Sequence, residues 1–205
     1  MLRLWESCAA LHPIDRALAM LRAASDDADG SPDALAGLAI GERERRAAWL
    51  RVSTFGLAAE GASDCPACGL AHEIDPPLAA ILDAPPAAVE PFQVVAGDCA
   101  LTVRPPDSRD QAALTHCSDP GDALRLLLAR CVLAASRGGA PIAVAELPAD
   151  VVEIAAAEIA ERDANAETSI ALTCARCAHG WTMVFDAGEF LWAEVAAHAR
   201  RLLYE

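Results

Sequence analysis

The residues best suited to chemistry in this chain are cysteines. There are eight, Cys8, Cys65, Cys68, Cys99, Cys117, Cys131, Cys174 and Cys177. Four of them form two matching pairs, Cys65-Pro66-Ala67-Cys68-Gly69 and Cys174-Ala175-Arg176-Cys177. A C-x-x-C turn aims two thiolates at one point and leaves backbone N–H groups free to donate to the sulfurs. Glycine after the second cysteine suits the left-handed backbone such a knuckle needs. Two knuckles together supply four thiolates, the usual tetrahedral set for structural zinc. The reading is one structural Zn2+ held by Cys65, Cys68, Cys174 and Cys177. Soft thiolates also suit iron, but zinc asks for no redox role. A set of four protein ligands leaves no open coordination position, so it predicts a fold-stabilising ion and no hydrolytic chemistry.

The knuckles are far apart, with 105 residues between Cys68 and Cys174. Contiguous zinc sites place their pairs much closer. The flanks nonetheless match. Ala71-His72-Glu73-Ile74 follows the first knuckle, Thr168-Ser169-Ile170-Ala171-Leu172 precedes the second, and Trp181-Thr182-Met183-Val184-Phe185 follows it. Each is a short strand-like run. The expectation is therefore a zinc ribbon split by an insertion, since closure entropy grows only logarithmically with loop length. The alternative is two separate sites. His72 and His179 are read as neighbours of the site, not ligands. Cys8, Cys99, Cys117 and Cys131 are read as small buried apolar residues.

Three regions must position these pairs. Residues 1–60 read as an N-terminal helical region, with a break near His12-Pro13, a polar loop over 25–33, and a helix from Gly41-Glu42 to Phe55-Gly56. Residues 61–77 and 166–205 read as the split ribbon plus a C-terminal helix. Residues 78–165 read as an inserted hairpin and helical subdomain. Within it, Pro/Ala-rich 81–91 is expected to be irregular. Phe92–Val95 and Cys99–Val103 flank turn chemistry at Ala96-Gly97-Asp98. Asp107 with Asp110, and Asp119 before Pro120, are helix starts. Leu124, Leu127, Leu128, Cys131 and Val132 recur at helical spacing, with Gly138-Gly139 closing that helix. The fold class expected is α+β, mostly helical, with a split four-cysteine zinc ribbon carrying a long insertion.

Two surfaces suggest partners. Arg43, Arg45 and Arg46 form the densest basic cluster, either a solvated helix face or a docking site for an acidic partner. Leu191, Val195 and Leu202 share one face of the last helix, with Trp192 on an adjacent one. So broad an apolar stripe must dock on the chain's own core or on another subunit, a second copy included.

Composition excludes several classes. The 16 basic residues are all arginine, against 30 acidic ones, for a net charge of −14. Nucleic acid and anionic membrane surfaces disfavour such a chain. At 54% hydrophobic residues it is not intrinsically disordered. Ala123–Ala135, the most apolar stretch, holds Arg125 and Arg130 and cannot supply the roughly 20 apolar residues of a membrane span. The opening Met1-Leu2-Arg3-Leu4-Trp5-Glu6 lacks an apolar signal core, so a cytoplasmic location is expected. No phosphate-binding glycine loop, nucleophile elbow or H-E-x-x-H motif occurs. The chain is read as not an enzyme.

Several segments, taken in order, resemble a known family. They are Trp5-Glu6; Phe55-Gly56 shortly before the first knuckle; Val103-Arg104-Pro105-Pro106-Asp107-Ser108-Arg109-Asp110; Leu126 to Val132; Leu172-Thr173 entering the second knuckle; and Phe185-Asp186 leading into Phe190-Leu191-Trp192-Ala193-Glu194. This order resembles the zinc-ribbon baseplate proteins of the T4-type phage family, found in clusters encoding contractile, phage-tail-like injection systems. The resemblance implies a structural or assembly role in a baseplate, with tail-tube, spike or other baseplate proteins as partners. One departure stands out. The second knuckle reads Cys-Ala-Arg-Cys-Ala where such proteins commonly have Cys-Pro-x-Cys-Gly, which loosens the expected turn and leaves all four thiols. A zinc-ribbon adaptor in nucleic-acid or transcription complexes is the competing reading, and the charge argues against it.

Overall fold

The structure is a computed structural model that describes residues 2–25, 30–87 and 90–204. Parts of the expected loops at 25–33 and 81–91, and the terminal Glu205, therefore lie outside the described residues. The Leu/Ala-rich start forms α1 (Leu2–Cys8) and α2 (Pro13–Ala24). Pro13 occupies the first turn of α2, where its missing N–H costs nothing, and His12 Nδ1 accepts from the Ile14 N–H at 3.3 Å. Then follow α3 (Pro32–Ala36), α4 (Ile40–Phe55), the hairpin β1 (Gly61–Asp64) and β2 (Ala71–Ile74), and α5 (Leu78–Asp83). The central part runs β3 (Phe92–Ala96), β4 (Cys99–Val103), α6 (Ser108–Leu114), α7 (Pro120–Cys131), β5 (Val132–Arg137), β6 (Ala140–Pro141) and α8 (Ala149–Arg162). The chain finishes with β7 (Thr168–Thr173), β8 (Gly180–Phe185) and α9 (Ala187–Tyr204). Helix accounts for 52% and strand for 20%, so the fold is a mixture dominated by helix. No helix among the described residues is long and apolar enough to cross a membrane.

The strands make three antiparallel sheets. Two are single hairpins, β1-β2 and β7-β8, and the third is four-stranded in the order β3-β4-β5-β6. Two compact units result, one of residues 1–30, 44–84 and 167–205, the other of 31–43 and 85–166.

In the first unit, Cys8, Met20, Leu191, Trp192, Val195 and Ala196 form one buried cluster. Ala47, Ala48, Leu78, Ile81, Phe185 and Ala187 form a second. The apolar stripe of α9 is thus mostly consumed inside the unit. Leu191, Trp192 and Val195 are buried, while Leu202 is 52% exposed. Of the four residues offered as a docking face, only Leu202 is available, because α9 packs on α1 and α2. A side chain at Gly188 would meet the Ala17 Cβ at 2.9 Å, so glycine there permits the close approach of α2. Arg51, only 3% exposed, ties the unit together. It forks onto Glu194 of α9 at 2.6 and 3.0 Å and donates to the carbonyls of Gly56 and Ala58 just before β1.

The second unit has its own core, built from Val94, Leu101, Val103, Leu128, Cys131, Val151, Ala155 and Ile159 among others. Asp107 and Asp110 form the expected capping box on α6. Asp110 is fully buried and accepts from Arg104 at 2.7 and 3.1 Å, from Arg130 at 2.8 Å, and from the Asp107 N–H at 2.9 Å. Burial pushes its carboxyl up, but these donors outweigh it and hold the group below its usual range. Arg43 is also withdrawn from solvent, at 2% exposure, and donates to Ser108 Oγ and Gln111 Oε1. The docking use of Arg43 is therefore corrected, since its guanidinium is spent on internal acceptors. Arg45 and Arg46 are half-buried.

Two elements differ from the sequence reading. The α7 pattern stops at Cys131, and Val132–Arg137 leaves the helix to pair with β4, Leu101 opposite Ala135. Val132 is β-branched and the Gly138-Gly139 turn, both glycines at positive φ, closes a hairpin with β6 instead of capping a helix. The expected irregular stretch begins with the short helix α5, whose Leu78 and Ile81 fill the core of the first unit.

Candidate metal centre

Each knuckle is a hairpin tip. In the first, the Cys65 N–H donates to Leu70 at 2.9 Å and the Gly69 N–H donates to Cys65 at 2.8 Å. In the second, the Cys174 N–H donates to His179 and the Ala178 N–H to Cys174, both at 2.9 Å. The two turns thus repeat the same bonds at equivalent positions. Each requires a left-handed residue after its second cysteine. Gly69 adopts φ +68°, and Ala178 is forced to φ +58°, the only positive φ at a non-glycine among the described residues. Alanine at this position does not open the turn; it places strain in it.

The register of β1 with β2 and of β7 with β8 sets each cysteine pair at the tip of its own hairpin, and the two tips meet. The ligand atoms of Cys65, Cys68, Cys174 and Cys177 all lie within 4.8 Å of one another. Cys65 Sγ is 3.7 Å from Cys177 Sγ, and Cys68 Sγ is 3.6 Å from Cys174 Sγ. A tetrahedron with metal–sulfur bonds of about 2.3 Å has edges of roughly 3.8 Å. The four thiols therefore fit a single tetrahedral ion, each knuckle giving half the set. Cys65 and Cys174 are buried, Cys68 is half-buried and Cys177 is exposed, so one side of the centre is sheltered by protein.

Proton affinities within the cluster are driven apart. Burial raises the Cys174 thiol, but the Cys177 and Arg176 N–H groups and the His72 side chain outweigh it and bring it down to about 5. The His179 N–H favours ionised Cys177, yet burial and the other three sulfurs prevail and push it up to about 12. Four like groups within one coordination sphere cannot all ionise without a cation; a bound metal ion would deprotonate them outright.

His72 and His179 stand outside the four-sulfur cluster. Both pack on Trp181, with ring centroids 5.4 and 6.4 Å away. His72 Nε2 is buried and has no hydrogen-bond partner among the described residues. Cys8, Cys99 and Cys131 are buried and Cys117 half-buried. Burial, with Asp110 nearby, pushes Cys131 up to about 12, which makes it inert at neutral pH.

Sequence reasoning did not assign the ion pair inside each unit. They are Arg104 with Asp110 in one unit and Arg51 with Glu194 in the other. The available signal was a charged residue inside an apolar helical run, as in Trp49-Leu50-Arg51-Val52 and Leu191-Trp192-Ala193-Glu194-Val195. No family model, no curated protein and no solved structure matches this chain.

Proposed function

We propose that Cys65, Cys68, Cys174 and Cys177 hold one zinc ion as a split zinc ribbon, and that the protein is a non-enzymatic component of a contractile, phage-tail-like baseplate. Convergence of four thiols from two distant knuckles onto one tetrahedral volume is the observation that carries the metal reading. His72 would support the ligands from outside, and Trp181 would shield that flank. Structural zinc contributes on the order of 10 kcal/mol of apparent folding free energy, and here it would clasp residues 65–68 to residues 174–177. Assembly in a bacterial cytoplasm and a place in the tail-like particle rest on the order of segments described above, from Trp5-Glu6 to Phe190-Leu191-Trp192-Ala193-Glu194. The absence of lysine and the charge of −14 favour protein partners over nucleic acid.

Elemental analysis of purified protein should give one zinc per chain, and a Cys68→Ser variant should lose it together with cooperative unfolding. Two ions per chain would overturn the joined ribbon. For the particle, deletion of the gene should abolish sheathed tails visible by electron microscopy, and the tagged protein should co-purify with tube, spike or baseplate components. A deletion strain that still assembles working particles would sink the assembly role.

A further inference from the structure

The first unit has a cleft of about 490 Å³ whose walls include β1, β8 and α9. Its lining takes consecutive residues of both strands, Gly61 and Ala62 on one side and Met183, Val184 and Phe185 on the other. Side chains of consecutive strand residues point to opposite faces, so the cleft is entered along the strand edges. Among the described residues both edges lack a partner strand, because β1 bonds only β2 and β8 bonds only β7. The ladders show which groups they offer. The Cys65 N–H bonds Leu70, so the bonded pairs continue at Ser63 with His72 and at Gly61 with Ile74, and the N–H and C=O of Ala62 point away from β2. By the same alternation, counted from Cys174 bonded to His179, the N–H and C=O of Val184 point away from β7. Val184 is 60% exposed. Two strand edges with outward backbone groups thus border one cleft, and folded proteins usually cover or blunt such edges.

The chemistry of the walls names the occupant. The floor is apolar, from Ile74, Met183 and Phe190, and four carboxylates line the cleft: Glu60, Asp186, Glu189 and Glu194. Arg51 answers Glu194, and Arg16 lies 3.6 Å from Glu189. No lysine or arginine lies among the lining residues, nor anywhere in residues 52–103 or 177–199. A second copy, with its charge of −14, would be repelled.

We propose that this cleft receives an extended, basic segment of a partner protein by strand addition, its main chain bonding Ala62 and Val184 and alternate side chains meeting the apolar floor and the acidic rim. Main-chain bonds supply affinity in such binding, and alternate side chains supply specificity. The inference stands apart from the baseplate reading and from the identity of any metal.

The test uses the full chain and a stated probe, the peptide acetyl-(Arg-Val)3-amide, with calorimetry and amide chemical shifts as readouts. The parent protein should bind it with shifts centred on Ala62 and Val184. Ala62→Pro and Val184→Pro each remove one outward N–H at an edge position where proline is tolerated. Each should weaken binding at least tenfold with an unchanged circular dichroism spectrum. A probe N-methylated at alternate residues should lose binding to the same degree and needs no variant. No binding of the parent peptide, shifts confined to other surfaces, or equal binding by the proline variants and the N-methylated probe would overturn the proposal. The last outcome would show charge attraction alone.

Discussion

The two knuckles differ at one residue in a way that can be measured. Gly69 and Ala178 occupy equivalent left-handed positions, and both are exposed. For an alanine the left-handed region costs about 1–2 kcal/mol. Replacing Ala178 by glycine removes that strain but adds unfolded-state freedom worth about 0.4–1 kcal/mol. The net expectation for Ala178→Gly is a gain of about 0.5–1 kcal/mol. The converse change isolates the same quantity, because a Cβ built on Gly69 would meet nothing within 4 Å; Gly69→Ala should therefore cost a similar amount through backbone conformation alone. Competition against a colorimetric chelator at pH 7 should show Ala178→Gly holding zinc about two- to fivefold more tightly. Thermal unfolding of the loaded protein should rise by about 1–4 °C, and Gly69→Ala should shift both readouts the opposite way. Changes of the same sign, or no change in either variant, would refute the claim that backbone strain at the tips limits the affinity of the site.

Other outcomes follow from the ion pairs. Arg51→Met keeps the packing over Phe190 but strands Glu194 and two carbonyls; it should cost about 3–5 kcal/mol, and a double-mutant cycle with Glu194→Gln in chemical denaturation should show coupling above about 1 kcal/mol. Asp110, whose folded carboxyl is held below 3.8, contributes stability present above that value and lost as pH falls through its folded pKa; Asp110→Asn should flatten the acid limb of a stability–pH curve. Asp163 behaves oppositely. Burial raises its carboxyl, although Oδ2 accepts from the Gly41 N–H at 3.1 Å. Its ionisation therefore erodes stability as pH rises from 3.8 through the folded pKa, and Asp163→Asn should be more stable than the parent at pH 7 and lose that advantage below pH 3.8.

How far the structure was legible in the sequence depended on the kind of signal. The knuckles were legible because ligand spacing is itself chemistry, and their flanking strands because they recur on both sides. The Phe92–Val103 hairpin and the Asp107 cap were legible from turn and capping residues that act locally. Strand β5 was not, because Leu128, Cys131 and Val132 satisfy a helical period and only its pairing with β4 ends the helix at Cys131. The fate of Arg43 was equally hidden. A run of Arg43, Glu44, Arg45 and Arg46 looks solvated until Ser108 and Gln111, 65 and 68 residues away, supply its acceptors. The apolar face of α9 left two readings open, and packing on α1 and α2 decided for Leu191, Trp192 and Val195 while leaving Leu202 exposed.

The split between the knuckles also imposes an order in time. On the ribosome, Cys65 and Cys68 are made first, and their partners arrive only after the 105 intervening residues. At ordinary elongation rates that is an interval on the order of 5–20 s. Throughout it the nascent chain carries half a coordination set, two thiols that bind metal weakly and remain open to oxidation. The whole of residues 85–166 is synthesised within the same interval, so the second unit can complete its core before the clasp exists. Capture of one ion by all four thiols would thereby be a late event, and a chain that stops short of Cys177 would lack the full set.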